Sequence, residues 1–287
     1  MVFHGGTAFC ENKAVFSPNL ENYVRILNET PDSNVYSKMS FLSFRFMKTV
    51  PALLSALALF VSSGAVNSQE TSPFAGKTPD QLTADEVMKL VRYSYTLFDR
   101  DFSGQLRVGF NKKVPFILSL KPEAIRFIFS DPAHIIYLDR KDKKFALYEG
   151  KGGAQLSPVD PKNYGTTLRG TDVTYDDLSM RFLYWPNAKI VDTQRIKNRE
   201  TWVVRVINPD GAGLYSTVDC WVDKTSGGML KMIGYNAKGR PIRRFEVIHG
   251  KKMGDIWMVD EMRIETINPA SGNRTSHTRL QIEEAIK

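Results

Sequence analysis

Three carboxylates crowd the stretch Gly170-Thr171-Asp172-Val173-Thr174-Tyr175-Asp176-Asp177-Leu178. Acids this close together can hold a cation or divide acid and base roles between them. They can also hold the start of a helix. Thr174 is a natural N-cap, and Asp177 lies three residues later. Asp176 and Asp177 then occupy the first helical turn, where a carboxylate opposes the positive end of the dipole and accepts backbone N–H bonds. Asp172 precedes the cap and can bond its own turn. Scaffolding thus accounts for Asp172, Thr174, Asp176 and Asp177 without a metal. On that reading alone, Asp177→Ala costs about 0.5–2 kcal/mol of stability.

Other candidate chemistry is thinner. In "DRDFSG", Asp99, Asp101, Ser103 and Gly104 fall where a calcium loop places its first ligands and its glycine. The ninth position is Arg107 and the twelfth is Phe110, where a bidentate carboxylate belongs, so a polar helix-to-strand turn is expected instead. His134, His249 and His277 are far apart, and no C-x-x-C or H-x-x-x-H spacing supports zinc. There is no G-x-S-x-G elbow and no P-loop. "GKGGAQ" and "GAGLYS" lack the third glycine of a dinucleotide loop, and the clusters "YDD" and "IEE" have no histidine at useful spacing. The expectation is a protein that is not an enzyme and uses neither cofactor nor metal.

The elements around these residues follow from periodicity. Thr83 and Glu86 form a capping box, and Thr78-Pro79 offers an earlier start. Val87, Leu90, Val91, Tyr95 and Phe98 then share one face, which predicts a helix over about 83–98. The period next changes to two. "GQLRVGF", "PFILSL", "AIRFIFS", "HIIYLDR" and "KFALYEG" read as strands, with Ile125, Phe127 and Phe129 on one face. Residues 150–170 read as a loop. "LSMRFLYWP" continues the helix begun at Thr174 until Pro186 stops it. Its Leu178, Met180, Phe182, Leu183, Tyr184 and Trp185 leave almost no polar face, so it must be buried on two sides or face an apolar cavity. Strands resume with "TWVVRVI", "YSTVDCWVD", "MLKMIGYN", "PIRRFEVI", "IWMVDEMRIETI" and "RTSHTRLQIEEA". Breaks such as "NPDGAG", "NAKG" and "NPASGN" are turn chemistry. An antiparallel meander with one or two helices packed on it follows.

Composition fits a globular chain. Of 287 residues, 42% are hydrophobic and 24% charged, and the net charge is +8. A basic balance suits nucleic acid or an anionic membrane surface. No nucleic-acid reader motif is present, and basic clusters such as Arg140–Lys144 look like hairpin tips, so no nucleic acid is expected. Met47-Lys48-Thr49, the run "VPALLSALALFVSS" and the small-residue exit "GAVNSQE" have the anatomy of a secretory signal peptide. The reading is an upstream extension over 1–46, a signal peptide over 47–68 cut after Ala65 or Ser68, and a single domain over 69–287. Translation would then start at Met39 or Met47. Cys220 would be the sole cysteine of the exported part, so no internal disulfide is expected.

The ordered series "LRGTDVTYDDL", "DCWVDKTSGGMLKMIGYNAKGRPIRRFEV", "GDIWMVDEMRIET" and "RTSHTRLQIEE" resembles the LolA-like family of outer-membrane lipoprotein-sorting proteins, over about residues 80–287. Trp221-Val222-Asp223-Lys224 resembles that family's W-[VIL]-D strand. The resemblance implies an α+β fold: a curved antiparallel half-barrel of about eleven strands, with helices over its concave face and an apolar cavity for acyl chains between them. It implies Ile125, Phe127, Phe129, Leu178, Phe182, Leu183 and Trp185 as lipid-binding residues, with the helix from Thr174 as a lid. The protein would be a periplasmic monomer that binds lipid or lipoprotein acyl chains and meets the inner- and outer-membrane lipoprotein machinery. The other reading is an envelope-stress sensor or regulatory binding module on the same fold. A hydrolase would need an acid/base pair converging in the pocket.

Overall fold

The computed structural model describes residues 78–96, 99–140, 145–253 and 256–286. All the described residues fall within one compact unit, Ser68–Lys287. The expected extension, signal peptide and cleavage sites, Phe98, and Lys141–Lys144 lie outside the described residues.

Both expected helix starts are used, by two separate elements. Thr78 opens a 3-10 turn over Pro79–Gln81, and its N–H donates to Gln81 Oε1 at 2.8 Å. The helix α1 covers Ala84–Thr96. Thr83 caps it: Glu86 N–H donates to Thr83 Oγ1 at 3.3 Å, and Thr83 N–H donates to Glu86 Oε2 at 2.9 Å. Val87, Met88 and Val91 are buried.

Among the described residues thirteen strands form one antiparallel, curved, open sheet, not about eleven. They are β1 (Arg100–Val108), β2 (Lys112–Lys121), β3 (Ala124–Phe129), β4 (His134–Asp139), β5 (Ala146–Lys151), β6 (Ser157–Pro158), β7 (Lys189–Ile196), β8 (Arg199–Ile207), β9 (Thr217–Asp223), β10 (Met229–Tyr235), β11 (Pro241–Met253), β12 (Ile256–Ile267) and β13 (Arg274–Ala285). The spatial order is β6-β5-β4-β3-β2-β1-β13-β12-β11-β10-β9-β8-β7. Two meanders therefore run in opposite directions and meet where β1 pairs with β13. The inward face carries Phe102, Leu106, Phe116, Phe127, Phe129, Val204, Cys220, Met232, Phe245 and Ile264, all in one core. The opposite face carries ion pairs such as Arg205–Asp219 at 2.7 Å, Arg263–Glu246 at 2.6 Å and Arg279–Glu261 at 2.8 Å.

The expected polar turn at "DRDFSG" is not a turn. Asp101, Ser103, Gly104 and Arg107 lie inside β1; all four pair with β2, and Gly104 and Arg107 pair with β13 as well. Gly104 sits where the backbone of β13 and the ring of Phe116 come too close for a Cβ. A ladder holds Asp101, Ser103 and Gly104 extended, which is not the tight loop that wraps a calcium ion. Millimolar calcium should leave the melting temperature unchanged; a rise on adding calcium would reveal a site.

The order of strands gives the segment between β6 and β7 its task. Those two strands are the opposite edges of the sheet, so residues 159–188 must cross from one edge to the other. This strap holds a 3-10 turn at Pro161–Asn163, the helix α2 at Tyr175–Ser179 and a 3-10 helix at Arg181–Tyr184. The single helix expected over 174–185 is thus two short pieces. Met180 breaks it, with φ 43° and ψ 33°, the left-handed conformation that commonly ends helices. α1 touches β2, β7, β8 and the Arg181–Tyr184 turn.

Candidate functional site

The strap is fixed from its own sequence outward. Thr174 caps α2: Asp177 N–H donates to Thr174 Oγ1 at 3.1 Å, and Thr174 N–H donates to Asp177 Oδ2 at 2.8 Å. Each neighbouring polar side chain then reaches a different part of the fold. Asp172 accepts from Thr266 on β12 at 3.2 Å and from Thr278 on β13 at 3.1 Å, and also from Ser276. The Tyr175 hydroxyl donates to Glu149 on β5. Asp176 accepts from Arg181 Nε at 2.8 Å and from Leu214 N–H in the β8–β9 loop at 2.7 Å. Asp177 accepts from the Tyr215 hydroxyl and lies 3.3 Å from Arg243 Nη2 on β11. The whole run Val173–Ser179 is buried.

Arg181 locks the far side. Its guanidinium stacks over Tyr164 and Trp185, 5.2 Å and 5.4 Å from their ring centres, and donates to Ala212 O. Gly213 has φ +79°, and a Cβ there would collide with the Asp176 carboxylate, so the "NPDGAG" loop needs glycine at this point. Burial pushes the Asp176 carboxyl up, against the pull of Arg181 and the Leu214 amide. The lone pairs of all three acids are committed to backbone and side-chain donors of the scaffold. Among the described residues no group of three or more His, Cys, Asp and Glu could hold a metal ion.

Two ionisable side chains besides Glu149 stand at the Tyr175 anchor. His134 Nε2 lies 3.2 Å from Glu149 Oε2, and Lys151 Nζ lies 2.8 Å from the same oxygen. Burial lowers the His134 pKa despite Glu149 beside it. Burial acts to raise Glu149, but Lys151, Tyr175 and His134 outweigh it and hold the carboxyl below its usual value. Both shifts favour the deprotonated group in the folded state. The stability they contribute is complete above the unfolded values and is lost as pH falls, first below about 6.5 for histidine. His134→Gln should therefore lose less stability than wild type between pH 7 and pH 5, measured as melting temperature against pH. Parallel curves would remove His134 from this account.

The residues expected to bind lipid are brought together. Phe127, Phe129, Leu178, Phe182, Leu183 and Trp185 are buried in one core, and half-buried Ile125 packs against it. Phe116 meets Phe127 and Phe129 edge-on, at 5.6 Å and 6.0 Å between ring centres. A pocket of about 410 Å³ lies elsewhere, lined by Pro161, Lys162, Gly165 and Asp210–Leu214, and none of the seven lines it. The sequence reading missed Glu149, Arg181, Tyr215 and Arg243. A signal existed for Arg243: in "PIRRFEVI" it shares the parity of Phe245 and Val247, so it had to point into the core.

A family model described only as an uncharacterized protein matches residues 155–286. No curated protein matches the chain. Solved structures do. A DUF1329 family protein from Desulfovibrio piger is 13% identical, with a TM-score of 0.54 over 73% of this chain and 93% of that one. A putative outer membrane lipoprotein-sorting protein domain from Vibrio parahaemolyticus is 14% identical, with a TM-score of 0.55 over 71% and 92%. A LolA superfamily protein from Nitrosomonas europaea is 12% identical, with a TM-score of 0.53 over 71% and 93%. What the chain shares with these proteins is a fold. Among the described residues no helix is long and apolar enough to cross a membrane.

Proposed function

We propose that this protein is a non-catalytic periplasmic carrier that shelters lipid or lipoprotein acyl chains between the inward face of the sheet and its helices. One observation carries the reading. The apolar face of the sheet is continuous with the undersides of α1 and the strap in a single core, on a fold shared with a protein domain named for lipoprotein sorting and with a LolA superfamily protein. The driving force is removal of apolar surface from water, roughly 25 cal/mol per Å².

The cover that moves is α1, not the strap. The strap is held by buried polar bonds on four sides, whereas α1 rests on apolar contacts and outlying polar ones. Among the polar ones are Asp85 accepting from Ala188 N–H at 3.3 Å and Arg92, which donates to Leu183 O and stacks over Tyr184 at 5.6 Å, while Lys224–Asp80 at 3.1 Å holds the turn before the helix. Apolar contacts re-form readily against an acyl chain, so a guest can take the place of α1 against β2, β7 and β8. The reading as non-catalytic rests on the structural use made of Asp172, Asp176 and Asp177.

Displacement of a fluorescent fatty-acyl probe tests this. Phe127→Asp places an unpaired charge on the wall, which is costly. Its affinity should fall more than about ten-fold, equivalent to about 1.4 kcal/mol. Phe127→Ala, with folding checked by circular dichroism, guards against simple unfolding and should also bind more weakly. A wild type that takes no probe would overturn the carrier and favour a regulatory module that binds a protein partner.

A further inference from the structure

Phe110 is 97% exposed, more than any other large apolar side chain among the described residues. It sits in the three-residue turn between β1 and β2, beyond the pair Val108↔Lys112. The turn does not need it. Gly109, at φ +58°, supplies the unusual backbone conformation, and Asn, Asp or Gly ordinarily fill such tips. Lys112 and Lys113 follow at once, and both are exposed. The hairpin is also braced: Lys112 Nζ donates to Gly170 O of the strap at 2.9 Å.

The strand directions gather other turns at the same end of the sheet. The β3–β4, β8–β9, β10–β11 and β12–β13 turns all lie there, as the antiparallel registers require. The β10–β11 turn adds exposed Lys238 and Arg240, and the strap adds exposed Lys162 beside the β8–β9 loop. Against them stand Asp131, Asp160 and Asp210. Asp160 is engaged with the backbone of Lys162, and Asp210 lies 3.3 Å from Arg181. This end of the sheet therefore presents one projecting aromatic side chain within a mainly basic rim.

We propose that the β1–β2 tip is a membrane-contact element, with Phe110 entering the acyl layer of an anionic bilayer while Lys112 and Lys113 lie against its head groups. An apolar side chain beside cations is the pairing that interfacial binding uses: apolar burial adds to attraction toward anionic lipid. A pocket on a partner protein could also take a phenylalanine. The cations around this one match a negatively charged surface instead.

Co-sedimentation of the full chain with vesicles of phosphatidylcholine and phosphatidylglycerol, three to one, tests the proposal. Phe110→Ser should bind at least about ten-fold more weakly than wild type, because a buried phenylalanine contributes at least that much. Phe110→Trp should bind like wild type, and all three should bind less to phosphatidylcholine alone. The apolar run at 50–63 is common to every variant, so a second reading isolates the tip. Vesicles with brominated acyl chains should quench Phe110→Trp more than they quench wild type. Equal binding of Phe110→Ser, or no added quenching in Phe110→Trp, overturns the proposal. So does capture of a protein by a photo-crosslinker at position 110 without vesicle binding. The acyl-probe result is separate: a carrier can fill its core and still ignore bilayers.

Discussion

Asp177→Ala should destabilise the protein by about 3–5 kcal/mol, well beyond the loss of a helix cap. The cap contribution alone is about 0.5–2 kcal/mol. The structure adds two buried dependants. The Tyr215 hydroxyl donates to Asp177, and Tyr215 is 1% exposed. The Arg243 side chain is 7% exposed and lies 3.3 Å from the carboxylate. Burial acts to lower the Arg243 pKa; the Asp177 charge first, with Tyr215 and Asp172 beside it, outweighs this and holds it above its ordinary value. Removing the acid takes away the nearest counter-charge of a buried cation, and deleting one partner of a buried pair costs about 3–5 kcal/mol. Against a total of about 5–15 kcal/mol, this can unfold much of the population. Asp177→Asn keeps an acceptor for Tyr215 but not the charge, so it should fall between. Urea denaturation at neutral pH reads both. A loss under about 1 kcal/mol for the alanine variant would reduce Asp177 to an ordinary cap.

Tethering α1 should abolish acyl uptake while leaving the fold intact. Gly227, in the β9–β10 turn, would place a Cβ 3.1 Å from that of Leu90 on α1. A disulfide spans about 3.5–4.5 Å between Cβ atoms, so Leu90→Cys with Gly227→Cys needs only a small shift. Gly227 has φ +69°, where a side chain costs roughly 1–2 kcal/mol. Cys220 is buried and its thiol pKa is pushed up, so it should not compete. Cys10 is replaced by serine. Oxidised, the double variant should bind the fluorescent acyl probe at least about ten-fold more weakly than when reduced. If both redox forms bind equally well, α1 is not the cover, and entry must occur elsewhere around the core.

The strands that the sequence revealed are those with a buried side. All eleven runs that alternate or concentrate Ile, Phe, Val and Tyr are strands. The two that escaped notice, β6 and β7, are the edges. Ser157–Pro158 is too short to show a period, and nearly every residue of Lys189–Ile196 is exposed. An edge strand is held by its ladder more than by burial, and hydrophobic periodicity cannot register a hydrogen bond. The strap was half legible. Its Thr174–Asp177 box is a local feature with a fixed spacing. Met180 was invisible, because a left-handed residue that is not glycine is imposed by its surroundings. The partners of the acids were hidden for a different reason. Glu149, Tyr215 and Arg243 lie 26 to 66 positions from the residues they hold, and no spacing rule reaches that far.

The pairing of β1 with β13 has a consequence for how the chain reaches this state. Every other ladder joins strands that are neighbours in sequence, so each half of the sheet can zip up by short hairpin closures. The join between the halves closes over most of the domain: Phe102 pairs with Ala285. A closure of that length carries a large entropic cost and comes late. Until it forms, both half-sheets expose a raw edge and an uncovered greasy face, and the strap has nothing to bridge. The time spent in that condition, more than the final stability, sets how readily newly made chains stick to one another before they are complete.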